Sequence, residues 1–319
     1  MSRRLAWIVV AASLAVAVSA QAPTDKGRLG IPLTEIMKPW TGDLDGMLDR
    51  RLVRVLTAYS HTLYFVEAGV PRGTAYDQGK LLEAELNRNL KTRHITVNVQ
   101  FIPVSRDELI PALLAGKGDL IMANLTVTPE RSAVVDFTDP WIDDVEEIVV
   151  TSPGAPVISS LDDLSGKDVF VRESRSYYQS LVALNARFAA AGKVPVTLTP
   201  APEELEDEDL LEMANAGLVD FLVVDNYKAT FWKRVLPKLK LYPAITLRTR
   251  AQIAWPIRKD TPQLRSSLNQ FLATNGVGSA QAQAILARYL QSPRFVTGAR
   301  PDAARKRFQT LTTLFRKYG

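Results

Sequence analysis

Between Arg106 and Trp141 the chain reads RDELIPALLAGKGDLIMANLTVTPERSAVVDFTDPW, and this stretch gathers residue types that hold an anion. Arg131 offers a planar guanidinium that can grip a carboxylate through two parallel hydrogen bonds. Thr126 and Thr128 add hydroxyls and Asn124 an amide. Thr128-Pro129-Glu130 has the form of a helix start, with threonine as N-cap and proline in the first helical position. Free backbone N–H groups then lie beside the guanidinium, which makes a carboxylate site. The apolar run Leu120–Ala123 just before them predicts a buried strand. Cation, hydroxyls and N–H groups thus fall beyond the C-terminal end of a strand, where open α/β sheets bind ligands.

Other chemistries find little support. The chain has no cysteine, which excludes disulfides, thiolate nucleophiles, Cys-ligated zinc and a lipoprotein anchor. The two histidines, His61 and His94, form no H-E-x-x-H, and there is no G-x-S-x-G elbow. The Gly-Lys pairs at Gly79, Gly116, Gly166 and Gly192 are never followed by Ser or Thr, so none is a phosphate-binding P-loop. No metal and no cofactor is expected. The acidic run Glu203, Glu204, Glu206, Asp207, Glu208, Asp209 suggests a cation site or, on the reading preferred here, a solvated loop whose last acids face a helix N-terminus.

The elements that must position these residues come in two similar sets. In the first, Leu52–Leu56 is a strand, Tyr76–Leu90 a helix with Leu82, Leu86 and Leu90 on one face, and Ile95, Val97, Val99 and Phe101 an alternating strand. A short helix from Asp107 to Ala115 stops at Gly116, before the Leu120 strand. In the second, strands at Val169–Val171, Val194–Leu198 and Phe221–Val224 alternate with helices at Tyr177–Ala191, Leu210–Ala216 and Tyr227–Val235. A strand at Ile253–Ile257 and helices at Pro262–Thr274 and Ala280–Leu290 follow. This alternation predicts two α/β lobes with mostly parallel sheets. The 319 residues, 46% hydrophobic, are enough to give each lobe a core.

The Arg106–Trp141 stretch resembles the family 3 extracellular solute-binding proteins. The resemblance lies in Leu109-Ile110-Pro111-Ala112-Leu113, Gly116-Lys117-Gly118-Asp119, Thr126 to Arg131, and Val135-Asp136-Phe137-Thr138-Asp139-Pro140-Trp141. It implies an α/β two-lobed periplasmic binding protein type II fold, with mostly parallel sheets, hinge strands and a small-molecule ligand in the cleft. On that resemblance Arg131 grips a ligand α-carboxylate, Thr126 donates to it, and Asn124 adds a polar contact. Asp225, after the Phe221 strand, falls where the family binds an α-ammonium, and equally where a helix N-cap would sit. Ser176 and Arg175 fall in the family's hydroxyl loop, and Tyr59 or His61 in place of its covering aromatic. Two departures leave the side-chain specificity open. Thr74-Ala75-Tyr76-Asp77 is a loose version of the family's Gly-Phe-Asp segment, and Arg172, Glu173 and Arg175 put charge where small residues are usual.

A narrower resemblance, to the N-terminal module of the membrane-bound lytic transglycosylase F family, lies in Asp43–Arg50, Phe101–Leu109, Glu206–Met213 and Leu314–Gly319. That family joins such a module to a lysozyme-like domain whose hallmark is Glu-Ser. The only Glu-Ser here, Glu173-Ser174, lies in a second-lobe loop. The resemblance therefore implies the sensory half, binding an amino acid or a peptidoglycan-derived peptide, and no catalytic residue. A receptor delivering amino acids to an ABC permease is the alternative, and a truncated transglycosylase is another. A dehydratase acting in the cleft, with Glu173 as its acid, is a weaker possibility.

The expected organisation is a signal peptide at 1–22, with Arg3 and Arg4 before an apolar run and an A-x-A-like site. An uncleaved anchor is its alternative. Loss of that segment takes the net charge from +5 to +3, which gives no reason to expect nucleic acid. An extended lead-in follows at 23–50, then lobe 1 at 51–144 plus 248–290, lobe 2 at 148–243, and a basic amphipathic helix or linker at 291–319. That last segment docks on its own domain or touches a membrane or a partner, either a permease or a cell-wall enzyme. The expected location is the periplasm.

Overall fold

The computed structural model describes residues 33–90 and 96–291. The segment expected to be a signal peptide, the start of the lead-in, Ile95 and the basic segment after 291 lie outside the described residues. No helix among the described residues is long and apolar enough to cross a membrane.

Two sheets organise the chain. The first has the strand order Asn98–Pro103, Leu52–Thr57, Leu120–Ile121, Pro256–Ile257, Asp136–Phe137. Its three leading strands are parallel, with Leu52–Thr57 between the other two. The second has the order Thr197–Pro200, Asp168–Val171, Phe221–Asp225, Ile142–Thr151, Lys240–Ala254, Leu125–Thr126. Here too the first three strands run parallel. In each sheet the order reverses beside a central parallel strand, which opens a crevice at the strands' carboxyl ends. The helices Thr74–Leu90 and Pro262–Asn275 pack on the first sheet through Leu82, Leu86, Leu264, Leu268 and Phe271. Ser176–Ala190 packs on the second through Leu181, Leu184 and Phe188.

Local chemistry fixes the ends of these elements. Gly116 closes the Leu109–Leu114 helix at φ +68°, and a Cβ there would sit 2.8 Å from the Trp40 carbonyl. A side chain is therefore excluded twice, by backbone angle and by space. Thr128 Oγ1 accepts the Arg131 backbone N–H at 3.4 Å and starts the Pro129–Val134 helix.

The described part of the lead-in, from Leu33, is not extended. Leu33–Met37 and Leu44–Asp49 are short helices, the second capped by Asp43 and anchored by the fully buried Met47. Arg54, itself fully buried, donates to the Lys38 and Trp40 carbonyls at 2.8 and 3.0 Å and so holds the lead-in on the first sheet. Asp119 accepts from Arg50 and Arg54 and lies 3.7 Å from Arg258. The second-lobe strand expected to start at Val194 begins at Thr197, because Val194 is exposed and the chain pairs only from there.

The chain crosses between the sheets along Ile142–Thr151 and Lys240–Ala254, which pair antiparallel with repeated shifts of register. Where they cross, Asp144 and Arg250 have φ of +56° and +53°. Both are non-glycine residues in the left-handed region, a costly conformation that surrounding structure must enforce. The bulges and these two residues break the regular pairing at the crossing, where a hinge needs freedom.

Candidate functional site

Most side chains considered for the site stand at a strand's carboxyl end, and Arg131 stands on the helix Pro129–Val134 that follows Leu125–Thr126. Ser60 and His61 follow Leu52–Thr57, and Asn124 follows Leu120–Ile121. Arg172, Ser174, Arg175 and Ser176 follow Asp168–Val171, and Glu206–Glu208 follow Thr197–Pro200. Asp225 ends Phe221–Asp225, and Lys228 lies in the first turn of the helix Asn226–Lys233.

The lobes meet through direct protein contacts. Arg131 Nη1 donates to the Thr126 carbonyl at 2.7 Å, and its Nη2 donates across the cleft to the Ser174 carbonyl at 2.8 Å. Ser176 Oγ lies 3.1 Å from Thr126 Oγ1. Arg106 Nε reaches both oxygens of Glu206, at 2.7 and 2.9 Å. Glu208 Oε1 accepts from Ser60 Oγ at 2.7 Å and from the His61 backbone N–H at 2.9 Å.

The acidic run is solvated only at its start, where Glu204 is exposed, and its last acids do stand at a helix N-terminus, with Asp209 accepting the Glu206 backbone N–H at 2.8 Å. Glu206, Asp207 and Glu208 are all buried, at 5%, 2% and 4% exposure, around the start of the helix Asp207–Asn215. Asp207 pairs with Arg172, with Arg175 and, at 2.8 Å, with Lys228 Nζ. Burial alone would raise its carboxyl, but Arg175, Lys228 and Arg172 hold it well below the carboxylate range. Glu206 is lowered in the same way by Arg106 and Arg172 against its burial. Among the described residues no cation pairs with Glu208. Burial, then Glu206 and Asp209, push it up to about 7, although Ser60 donates to it.

Arg131 differs from these arginines. Among the described residues no carboxylate pairs with it, and both its hydrogen bonds go to neutral backbone carbonyls. Its pKa falls to about 10, first through burial and then through the nearby charges of Arg175 and Arg106. The charge of Glu147 offsets these in part, but no carboxylate among the described residues bonds the half-buried guanidinium, and an incoming carboxylate would do so.

A cavity of about 290 Å³ opens beside these contacts. Its lining includes the polar residues Asn124, Arg106, Arg175, Glu206, Asp207, Glu208 and Lys228 and the apolar residues Trp141, Phe231, Trp232 and Leu286. Of the residues expected from sequence, Asn124 and Arg175 face this cavity. Arg131, Thr126 and Ser176 form the interlobe contact next to it, and Asp225 lies behind Lys228, 2.8 Å from its Nζ. Asp225 precedes a helix, but its side chain makes no capping bond. Tyr59 is 55% exposed, and the His61 ring lies 6.4 Å from that of Phe65 while its backbone N–H donates to Glu208. Glu173 is exposed, unlike the buried acids at 206–208. Sequence reasoning missed Ser60, Glu206–Glu208 and Lys228. The available signal was a surplus of arginine at one strand end and a surplus of acid at the next. Among the described residues no group of three or more His, Cys, Asp or Glu could hold a metal ion.

Comparisons with known proteins bear on the family and the fold. The profile of the bacterial extracellular solute-binding proteins, family 3, matches residues 53–292. A membrane-bound lytic murein transglycosylase F of Desulfosudis oleivorans is 27% identical over 217 residues, 68% of this chain and 44% of its own length. One of Shewanella baltica is 26% identical over 223 residues, 69% of this chain and 42% of its own. The chain therefore spans less than half the length of these relatives. Among solved structures, the substrate binding protein of an amino acid ABC transporter superposes with a TM-score of 0.60 at 22% identity, over 76% of this chain and all of that one. An ancestral arginine-binding protein bound to arginine superposes with a TM-score of 0.60 at 25% identity, over 75% of this chain and 98% of that one.

Proposed function

From a chain that belongs to the bacterial extracellular solute-binding proteins, family 3, we infer a non-catalytic module that binds an amino acid or a peptidoglycan-derived peptide between its lobes. The observation that carries this reading is Arg131, a cation at the lobe interface whose hydrogen bonds among the described residues go to two neutral carbonyls, one from each lobe. A ligand carboxylate takes the place of the Ser174 carbonyl and supplies the missing charge. Because it also touches Thr126 and the Ser176 loop, it binds best when both lobes surround it. Ligand then favours closure by its differential affinity for the closed state.

The sensory role follows from the likeness to the transglycosylases, and the lytic activity that their name carries is no part of this reading. The transport alternative draws on the solved amino-acid-binding proteins, which this fold covers almost completely. Either role belongs outside the cytoplasm, in the periplasm on the reading preferred here.

The test is isothermal titration of the folded chain with free amino acids and with peptidoglycan-derived peptides, beside Arg131→Ala. Saturable binding weakened at least about 100-fold in the variant is expected, the scale of a lost charge-assisted pair. Equal affinity in the variant would overturn the assignment of Arg131. The ligand bound best separates a nutrient receptor from a cell-wall sensor.

A further inference from the structure

The cavity beside the interlobe contacts is built where the apolar cores of the two lobes overlap. Tyr227 stands on the second-lobe helix Asn226–Lys233 yet packs against the core of the first lobe. Leu290, in the Ala287–Gln291 turn after the helix Ala280–Leu286, packs against the core of the second. Both line the cavity, together with Trp141, Ile142, Phe231 and Leu286. Two of these rings are fixed by neighbours. Trp141 lies 6.1 Å from Trp255 at an interplanar angle of 27°, and Phe231 meets Trp232 edge-on at 5.2 Å. Ile142, Tyr227, Leu286 and Leu290 are only half-buried, so apolar surface is left uncovered around the cavity. The polar groups of the wall, by contrast, already have partners. Arg106 pairs with Glu206, Arg175 and Lys228 pair with Asp207, and Ser60 donates to Glu208. Thr74 Oγ1 donates to the Thr62 carbonyl at 3.0 Å.

We propose that this cavity is a second binding site, separate from the Arg131 contact, for a compact uncharged ligand of one or two aromatic rings. An apolar cavity of about 150 Å³ holds a benzene, so about 290 Å³ has room for a two-ring molecule. A charged group brought inside would meet ions that already have partners and would lose its hydration without return. An apolar body instead covers Ile142, Tyr227, Leu286 and Leu290 and releases water to which the satisfied wall offers few hydrogen bonds. Rings already held in place cost little to order and give an incoming aromatic edge-on or offset contacts. The wall draws Trp141 and Ile142 from the start of a crossing strand, Tyr227 and Phe231 from the second lobe, and Leu286 and Leu290 from the last described helices. It is complete only when these parts are together, so a bound ring favours the closed arrangement by its affinity for that state. The site makes no use of Arg131, and the two sites therefore stand or fall separately.

The experiment is isothermal titration of the full chain with indole and with tryptamine, beside crystals grown with 5-bromoindole. Indole should bind saturably, and tryptamine, the same ring carrying an ammonium, at least tenfold more weakly. Leu286→Trp fills the cavity and should weaken indole at least tenfold. The anomalous signal of the bromine should fall between Trp141, Tyr227 and Leu286. No saturable heat from indole, in protein shown to be folded by circular dichroism, overturns the proposal. So does tryptamine that binds as tightly as indole, a folded Leu286→Trp protein that binds indole as the wild type does, or bromine found only outside the cavity. If Leu286→Trp does not fold, the wild-type titrations and the bromine position decide.

Discussion

Glu208 shows how one buried side chain makes the molecule sensitive to pH. In the folded protein it holds its proton up to about pH 7, whereas the unfolded chain releases it near 4.5. Folding takes up a proton between those values, so the contribution of Glu208 to stability falls as pH rises from about 4.5 to 7, by on the order of 3 kcal/mol. Glu206 and Asp207 act with the opposite sign. Their lowered carboxyls stabilise the fold above the unfolded value near 4 and lose that contribution on further acidification. The thermal midpoint should therefore fall between pH 5 and 8, and Glu208→Gln should flatten that slope. An unchanged slope in the variant would place the proton uptake elsewhere. These three acids were the least legible part of the sequence. A run of acids looks solvated until the fold brings Arg106, Arg172 and Arg175 to it from other strand ends, and no local spacing announces those pairings. Arg131, by contrast, carries its own local signal, because Thr128 and Pro129 mark the helix turn that presents it.

At the scale of elements the amphipathic periods were legible. Leu82 and Leu86 bury one face of Thr74–Leu90, and Phe221–Val224 is a strand because four consecutive apolar residues fill both faces of a sheet. The Leu44–Asp49 helix was not legible, since its six residues show barely one period and its stability comes from tertiary contacts. Asp119 supplies those contacts indirectly, by organising the guanidinium of Arg54 that grips the lead-in carbonyls. Asp119→Ala should leave Arg54 and Arg50 without a counter-ion and cost about 3–5 kcal/mol in urea unfolding. It should also make the lead-in more susceptible to proteolysis. A loss below about 1 kcal/mol would mean that the arginines find other partners. Gly116→Ala should cost at least about 1 kcal/mol, measured the same way, because its φ is left-handed and the Trp40 carbonyl blocks the added carbon.

For the whole molecule, the closed arrangement rests on a few contacts that span the cleft: Arg106 with Glu206, Glu208 with Ser60 and His61, and Arg131 with Ser174. Arg106→Ala removes the only ion pair among these and should enlarge the radius of gyration seen by small-angle scattering. A scattering curve identical to that of the wild-type protein would show that the remaining contacts suffice. The two-lobed α/β class was legible from alternating strands and helices, because each pattern repeats over enough residues to outweigh local ambiguity. The way the lobes lock together depends on distant pairs and was not. One feature of the crossing strands carries further. Asp144 and Arg250 hold left-handed backbones costing about 1 kcal/mol each, and neither belongs to the recognition chemistry. A glycine at either position would relieve that cost wherever the angle persists and shift the balance between open and shut. How long a guest stays, as distinct from which guest is admitted, is then adjustable at two solvent-facing positions. Mutational drift there could retime release while leaving selectivity as it was.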